Sequence, residues 1–457
     1  MQTIPTRTGW SVVAIAAVHG LVHAFSIFLS PLNDEIRRYF LADAVATVTA
    51  FKSTYLATYA VSNLVFGLLT NRISARRTLA LGLGLNGAAV AAFALVSPSG
   101  VLWMHGLWLM AAVGGGVYHP VANVLITRLY PRQKGRVIGL TGMGAAVGFA
   151  LGPLFTTALS SWAGLGWQSV VLIFGCFGIA AAAWVYVVVR DAPEGSFSVE
   201  EAEAAGAPAD AAGAPTDVAA APTDVAAAPT DVAAAAPLSS TRPRFGGSRD
   251  AGPGSPAFGG VAGLASIGGV LAAIIVISGV REMAMWSVLD ISDFFLLRLF
   301  DGPGRTGLFL FLLYAPGIVI QPLAGGLSDA LGRRWLATGS FALYGASVAV
   351  AAILPAPLVF LAYLGMGIGQ AATIPIIEAY VADVAGPELR GAAYGLFFTT
   401  GIALGALGPG GTGLLVDTLG GGLDAFRLVF GALGILVFVA AGFIPLVIGP
   451  GRHGGGV

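Results

Sequence analysis

Apolar runs of eighteen or more residues recur between Gly9 and Gly449, and they constrain the fold more than any other feature. Each run is long enough to cross a hydrocarbon core about 30 Å thick. Only 10% of the 457 residues are charged, whereas an ordinary soluble domain carries about 25%. Because a helix satisfies its own backbone hydrogen bonds in lipid, the runs predict an all-α polytopic membrane protein.

The chain lacks the sequence signatures of several enzyme classes. It contains no Walker loop, no HExxH and no GxSxG motif, so nothing in it indicates hydrolysis of ATP or of a peptide. Its single cysteine, Cys176, lies inside an apolar run, which excludes an intrachain disulfide and a cysteine-based metal cluster. We expect no enzymatic activity and no cofactor.

The apolar pattern stops between Arg190 and Phe258, where the composition turns to Ala, Pro, Gly, Asp, Ser and Thr. The sequence APTDVAA occurs there three times in tandem. A proline every seven residues interrupts any continuous helix, and such a segment cannot bury a core. We predict a disordered linker, with a partner-docking tail as the alternative. The chain is thereby divided into an N-terminal domain, the linker and a C-terminal domain: 1–190, 191–258 and 259–457.

Six apolar segments lie on either side of this linker, and each set of six predicts a six-helix bundle. The first segment lacks a cleavage-site pattern and is followed by further spans, so we interpret it as a retained helix. The predicted spans are approximately residues 10–29, 47–69, 78–97, 101–127, 135–160, 167–189, 262–296, 306–327, 335–354, 357–382, 390–416 and 424–448.

The placement of Lys and Arg predicts the orientation, because cytoplasmic loops retain positive charge. If the N-terminus is inside, sixteen basic residues lie in the inside regions and six lie at the outside ends of the spans. This imbalance predicts a plasma (inner) membrane protein whose two termini and central linker are cytoplasmic.

An internal repeat relates the two halves. Residues 130–140 read YPRQKGRVIGL and residues 386–396 read GPELRGAAYGL. Each segment precedes a Gly-Pro pair at the same offset of 256 residues, Gly152-Pro153 in the first half and Gly408-Pro409 in the second. Parallel repeats related about the membrane normal are one known plan for transporters, so the repeat predicts two pseudo-symmetric bundles.

A second repeat lies in the short loop after the second span of each half: GLLTNRISARR at 67–77 and GGLSDALGRR at 325–334. Here the sequence resembles the major facilitator superfamily, whose corresponding loops carry a G-x-x-x-D-R-x-G-R-R type motif. The first copy departs from it at Asn71, Ser74 and Ala75.

The resemblance implies twelve transmembrane helices in the major facilitator fold, with loop charges that latch the halves together at the cytoplasmic end. Charges that only set the membrane topology are the alternative interpretation. The implied cytoplasmic gate residues are Arg72, Arg76, Asp329, Arg333, Asp383 and Arg390.

The fifth span carries G-x8-G-x3-G-P, which resembles a signature of drug/proton antiporters. Small residues let helices approach closely in lipid, so generic helix packing is the alternative interpretation. Many such antiporters have an arginine four residues before a fourth-span glycine, but here Met110 precedes Gly114. The helix-packing residues, including the second-half counterparts, are Gly139, Gly148, Gly152, Pro153, Gly408 and Pro409.

The stretch GGGVYHP at 114–120, together with GFALGP at 148–153, resembles the fosmidomycin-resistance branch of this superfamily. This resemblance implies proton-driven efflux of a small anionic or amphiphilic compound.

Ionisable side chains inside a span are costly, so each is a functional candidate. His19 and His23 are four residues apart and share one face of the first helix. They could accept a coupling proton, or they could be neutral and bonded to each other or to the backbone. A metal site would need a further ligand, which only His119 offers, so we expect no metal.

The seventh span is the richest in ionisable groups. At 100° per residue, Glu282, Asp290 and Asp293 fall on one face together with Trp286, whereas Arg281 falls 100° away from Glu282. We therefore expect Arg281 to lie off this stripe. The predicted substrate or proton pathway comprises His19, His23, His119, Arg281, Glu282, Asp290, Asp293 and Glu378.

Together these features predict a secondary active transporter in the lipid bilayer, with proton-coupled efflux of a small organic molecule by alternating access. A proton-coupled uptake symporter is the first alternative, and a non-transporting receptor or scaffold is the second. We expect no nucleic acid partner. One chain supplies both halves, which favours a monomer.

Overall fold

The structure, a computed structural model, describes residues 6–70, 72–129, 134–189 and 259–449. The linker predicted at 191–258 lies outside the described residues. Within the described ranges, ten helical stretches are long and apolar enough to cross a membrane. Two further long helices, Val45–Leu69 and Arg333–Ala351, stand at the predicted second and ninth spans. The all-α polytopic fold is confirmed.

Six spans of the first half contain eight helices, because the first span is followed by a short helix and the fourth span is divided in two. These helices are α1 (Thr6–Ile27), α2 (Asn33–Tyr39), α3 (Val45–Leu69), α4 (Ala75–Ala92), α5 (Val101–Gly116), α6 (Tyr118–Leu129), α7 (Lys134–Thr157) and α8 (Trp167–Val188).

The second half has different helix breaks: the eighth span is divided in two beside Pro316, and the eleventh span is divided after Gly405. Its helices are α9 (Gly259–Phe300), α10 (Thr306–Tyr314), α11 (Gly317–Leu331), α12 (Arg333–Ala351), α13 (Val359–Gly405), α14 (Leu407–Thr418) and α15 (Leu423–Val447). We call the end of the bundle where α1 begins and α15 ends the terminal end, and the other end the opposite end.

The connection between the predicted tenth and eleventh spans is itself helical, because α13 runs from Val359 to Gly405. A straight helix would separate Glu378 and Tyr394 by about 24 Å. However, the Tyr394 hydroxyl donates a hydrogen bond to the Glu378 carbonyl at 2.9 Å. The chain therefore turns back between these two residues while it keeps helical backbone bonding.

Glycines bring the helices into direct backbone contact at the predicted packing positions. A Cβ atom on Gly148 would lie 1.9 Å from the Gly20 carbonyl oxygen, and one on Gly408 would lie 2.4 Å from that of Met283. Gly148 thus brings α7 onto α1, and Gly408 brings α14 onto α9. The other four packing positions, Gly139, Gly152, Pro153 and Pro409, lie on the same two helices, α7 and α14.

Candidate functional site

Aromatic rings join the two halves near the middle of their spans. Phe149 on α7 stacks on Tyr314 of α10, with ring centroids 4.7 Å apart and an interplanar angle of 12°. Trp286 on α9 lies 6.2 Å from the Phe149 ring. On the first-half side, His23 lies 4.3 Å from the same ring. Phe149 therefore connects a histidine cluster in the first half to polar side chains in the second.

Three histidines converge in the first half. The spacing of His19 and His23 on α1 places their Nε2 atoms 3.0 Å apart. The ring centroid of His119, on α6, lies 4.9 Å from that of His19 and 5.5 Å from that of His23. The structure thus brings together all three histidines that the sequence singles out.

The break between α5 and α6 positions His119. Gly114, Gly115 and Gly116 pack so closely on neighbouring helices that any Cβ atom there would lie within 3 Å of another atom. At the break, Pro120 has no N–H to donate to the preceding turn. The close packing of α5 and the missing hydrogen bond at Pro120 together set the angle between α5 and α6.

The seventh span carries the charged part of the site. Arg281 pairs with its neighbour Glu282 through its Nη2 atom, although the two residues lie about 100° apart around the helix. Both side chains are long enough to bend towards each other. Arg281 is only 5% exposed.

Around this ion pair, three buried donors have no hydrogen-bond partner among the described residues: Arg281 Nη1, Trp286 Nε1 and the Tyr314 hydroxyl. Electrostatic interactions link Arg281 and Glu282 to Tyr314 on α10 and to Glu378 on α13. Buried donors are normally satisfied. Three unsatisfied donors of this kind favour a ligand that presents acceptor oxygens.

Asp290 and Asp293 lie further along α9, where they bond to the first half near the opposite end. Asn33 donates from its side-chain amide to the Asp290 carbonyl oxygen at 2.7 Å and to its carboxylate at 3.2 Å. The Asp34 N–H donates to the Asp293 carboxylate at 3.0 Å. The two acids therefore take part in a junction between the halves.

Lys52 on α3 is buried close enough to Asp290 for the two charges to attract each other, and its ammonium donates to the Ser26 carbonyl. This buried pair adds a charge interaction to the same junction.

Two further hydrogen bonds between the halves have no signal in the local sequence. The Gly410 N–H donates to the Ser53 hydroxyl at 3.0 Å, and the Gly307 N–H donates to the Thr157 hydroxyl at 3.1 Å. Serine and threonine side chains in a span usually bond within their own helix, so pattern alone does not identify these contacts.

At the terminal end, Arg333 joins two acids of the second half. The Arg333 guanidinium donates to Asp383 at 2.6 Å and pairs with Asp329 at 3.1 Å. In the first half, Arg72 is exposed and the Arg76 guanidinium lies 5.0 Å from the Tyr186 ring centroid. Arg390 lies within α13, and its side chain is outside the described residues.

The fold and the site together define a polytopic membrane protein of two six-helix halves with a polar centre. The sequence model of the Major Facilitator Superfamily matches residues 9–289 and 283–455. The chain belongs to the major facilitator superfamily, a family of membrane transporters.

Curated relatives match about a third of the chain. This chain is 33% identical over 136 residues to a 3-(3-hydroxy-phenyl)propionate transporter of Escherichia coli, and the match covers 29% of this chain and 31% of that protein. This chain is 31% identical over 148 residues to a chloramphenicol resistance protein of Pseudomonas aeruginosa, and the match covers 32% of this chain and 34% of that protein. This chain is 32% identical over 144 residues to an uncharacterized MFS-type transporter of Mycobacterium tuberculosis, and the match covers 31% of this chain and 24% of that protein. The matches thus span about a quarter to a third of these relatives.

Solved structures share the fold across the whole chain. A bacterial homologue of the human lysosomal transporter Spinster, in an inward-facing and unoccupied conformation, has a TM-score of 0.73 at 15% identity and 98% coverage of both chains. The nucleoside transporter NupG has a TM-score of 0.68 at 13% identity, with 96% of this chain and all of that chain covered (100%).

Proposed function

We propose that this protein is a proton-coupled transporter of a small organic anion that works by alternating access. The observation that carries the proposal is the set of three unpartnered buried donors, Arg281 Nη1, Trp286 Nε1 and the Tyr314 hydroxyl. Arginine keeps its charge at every physiological pH, and its planar fork fits a carboxylate or phosphonate. Phe149 and Tyr314 add a stacked aromatic surface beside these donors.

The ion pair of Arg281 and Glu282 supplies a route for proton coupling. While Glu282 is ionised, its carboxylate occupies one side of the guanidinium and the site is neutral. A bound anion competes for the same positive charge, so it binds best when Glu282 is protonated. Proton and anion therefore bind together, and the loaded and empty sites are both neutral. This linkage favours symport. Glu378 is a second carboxylate within electrostatic range of Arg281 and Glu282.

One of the relatives supports an anionic, aromatic substrate. This relative is a transporter of 3-(3-hydroxy-phenyl)propionate, which carries a carboxylate and a phenyl ring. A substrate of that type would place its carboxylate on Arg281 and its ring against Phe149.

Proton-coupled efflux by antiport is the second candidate. It is supported by the fifth-span signature from Gly139 to Pro153 and by the likeness to a chloramphenicol resistance protein. Both candidates use the same scaffold, and they differ in whether proton and substrate move in the same direction.

The bonds between the halves described above lie towards the opposite end. With the terminal end on the cytoplasmic side of the plasma membrane, as the Lys and Arg distribution predicts, closure at the opposite end corresponds to an inward-facing arrangement. We propose that His19, His23 and His119 line the same substrate pathway as Arg281. We also propose that a single chain is the working unit.

The full-length protein in liposomes that contain a trapped pH indicator tests this proposal. Aromatic carboxylates and phosphonates are added outside, and protein-free liposomes correct for permeation of the neutral acids. Symport acidifies the lumen on substrate entry, whereas antiport makes it alkaline. Arg281→Ala removes the signal, and Arg427→Ala, which changes an arginine at the opposite end, keeps it. Absence of coupled movement across the whole panel would refute the proposal and leave the receptor interpretation.

A further inference from the structure

We infer that His19, His23 and His119 form a binding site for a divalent transition-metal ion of the Zn²⁺ type. Each imidazole offers one ligand nitrogen, and the three nitrogens all lie within 4.8 Å of one another. Imidazole is a preferred ligand of such ions. Two histidines four residues apart on a helix present both rings to one ion, as in known helical zinc sites.

The distances are close to those that a metal requires. Zn–N bonds of about 2.1 Å in tetrahedral geometry separate two ligand nitrogens by about 3.4 Å. The Nε2 atoms of His19 and His23 are 3.0 Å apart. The three ligand nitrogens lie within 4.8 Å of one another, so a movement of at most about 1.4 Å, for example by the His119 ring next to the helix break at Pro120, brings the widest separation to this value.

The surroundings of His19 orient its ring as a metal ligand. The Thr141 carbonyl lies 2.8 Å from His19 Nδ1. A carbonyl only accepts, so Nδ1 carries the proton and the lone pair of the neutral ring is on Nε2. Tyr118 stacks on this ring at 4.4 Å and is itself held by a bond from its hydroxyl to the Ile15 carbonyl. Bonds of this kind to the second ring nitrogen are typical of metal-ligating histidines.

The third histidine has no other partner that explains its position. Among the described residues, the His119 ring makes no hydrogen bond, although it packs against the other two histidines and Tyr118. Three imidazoles leave a coordination position open on the ion, as in catalytic zinc sites. His23 contacts Phe149, so the histidine cluster adjoins the interface between the halves.

Metal binding to the purified full-length protein tests the inference independently of transport. The protein is isolated with an affinity tag free of histidine, stripped with a chelator and titrated with Co²⁺, whose visible absorption reports four-coordinate nitrogen ligation. We expect one ion per chain, competition by Zn²⁺, and a higher melting temperature with the ion bound.

His23→Ala and His119→Ala should each weaken Co²⁺ binding at least tenfold, and melting curves of the metal-free variants establish that they are folded. His105→Ala is the matched control, because His105 bonds to Thr54 outside the cluster. No saturable binding to the wild type, or unchanged binding to folded His119→Ala, would overturn the inference and leave a metal-free imidazole cluster.

Discussion

Asp417, in the second half of the chain, caps the helix that begins at Val45 in the first half. Its two carboxylate oxygens accept the N–H groups of Val45 and Ala46, each at 2.8 Å. These N–H groups are at the first turn of α3, where they have no partner within the helix and where the helix dipole favours negative charge. The Asp417 side chain therefore adds two bonds between the halves at the opposite end.

Asp417→Asn should loosen this closure, because the amide keeps one acceptor oxygen but loses the charge. A charge at a helix terminus contributes up to about 2 kcal/mol, so the ratio of closed to open molecules should fall by up to about thirtyfold. Pulsed electron paramagnetic resonance between spin labels at Asp43 and Leu419 measures this ratio from the distribution of label distances. Cys176 is replaced by serine so that it is not labelled.

The control for this change is Asp424→Asn. Asp424 is an exposed acid of the same half that pairs with Arg427 on its own helix, so its neutralisation should leave the label distances unchanged. Identical distance distributions in Asp417→Asn and the wild type would show that the cap does not hold the closed state.

Glu282→Gln should separate anion movement from proton movement. The glutamine cannot titrate, while Arg281 keeps its charge and its unpartnered Nη1 atom. We expect exchange of internal for external substrate to persist in liposomes and substrate-driven proton movement to be lost.

Asp301→Asn, in an exposed turn after α9, controls for loss of a carboxylate elsewhere. Proton movement at the wild-type ratio in Glu282→Gln would exclude Glu282 as the coupling site and direct attention to Glu378.

The twelve spans follow from the sequence because the length of an apolar run is a local property that the bilayer thickness imposes. The contact of Asp417 with Val45 does not follow, since it joins positions 372 residues apart and neither residue belongs to a local motif. Tyr314 and Phe149 were missed as site residues for a different reason. Aromatic residues in an apolar span resemble core residues, and only the packed structure brings them to the interface.

Gly148→Ala should destabilise the protein, because its Cβ atom would lie 1.9 Å from the Gly20 carbonyl oxygen. Backbone atoms cannot move aside as a side chain can, so α1 and α7 must separate, at a cost of about 1–3 kcal/mol. Melting temperatures in detergent measure the effect.

Gly142→Ala on the same helix is the matched control, since nothing lies within 4 Å of the added atom. Alanine is the better helix former by about 1 kcal/mol, so this variant should be as stable as the wild type or more so. Equal melting temperatures for Gly148→Ala and Gly142→Ala would contradict the backbone contact.

Phe149→Ala should weaken substrate binding without unfolding the protein. The ring stacks on Tyr314 and contacts His23, and an aromatic pair contributes about 0.5–1.5 kcal/mol beyond its buried area. The KM for an aromatic carboxylate should therefore rise about 2- to 12-fold. Phe155→Ala, which truncates an exposed ring on the same helix, should leave KM unchanged. A rise in KM of the same size in both variants would mean that Phe149 acts through the stability of α7 rather than through the site.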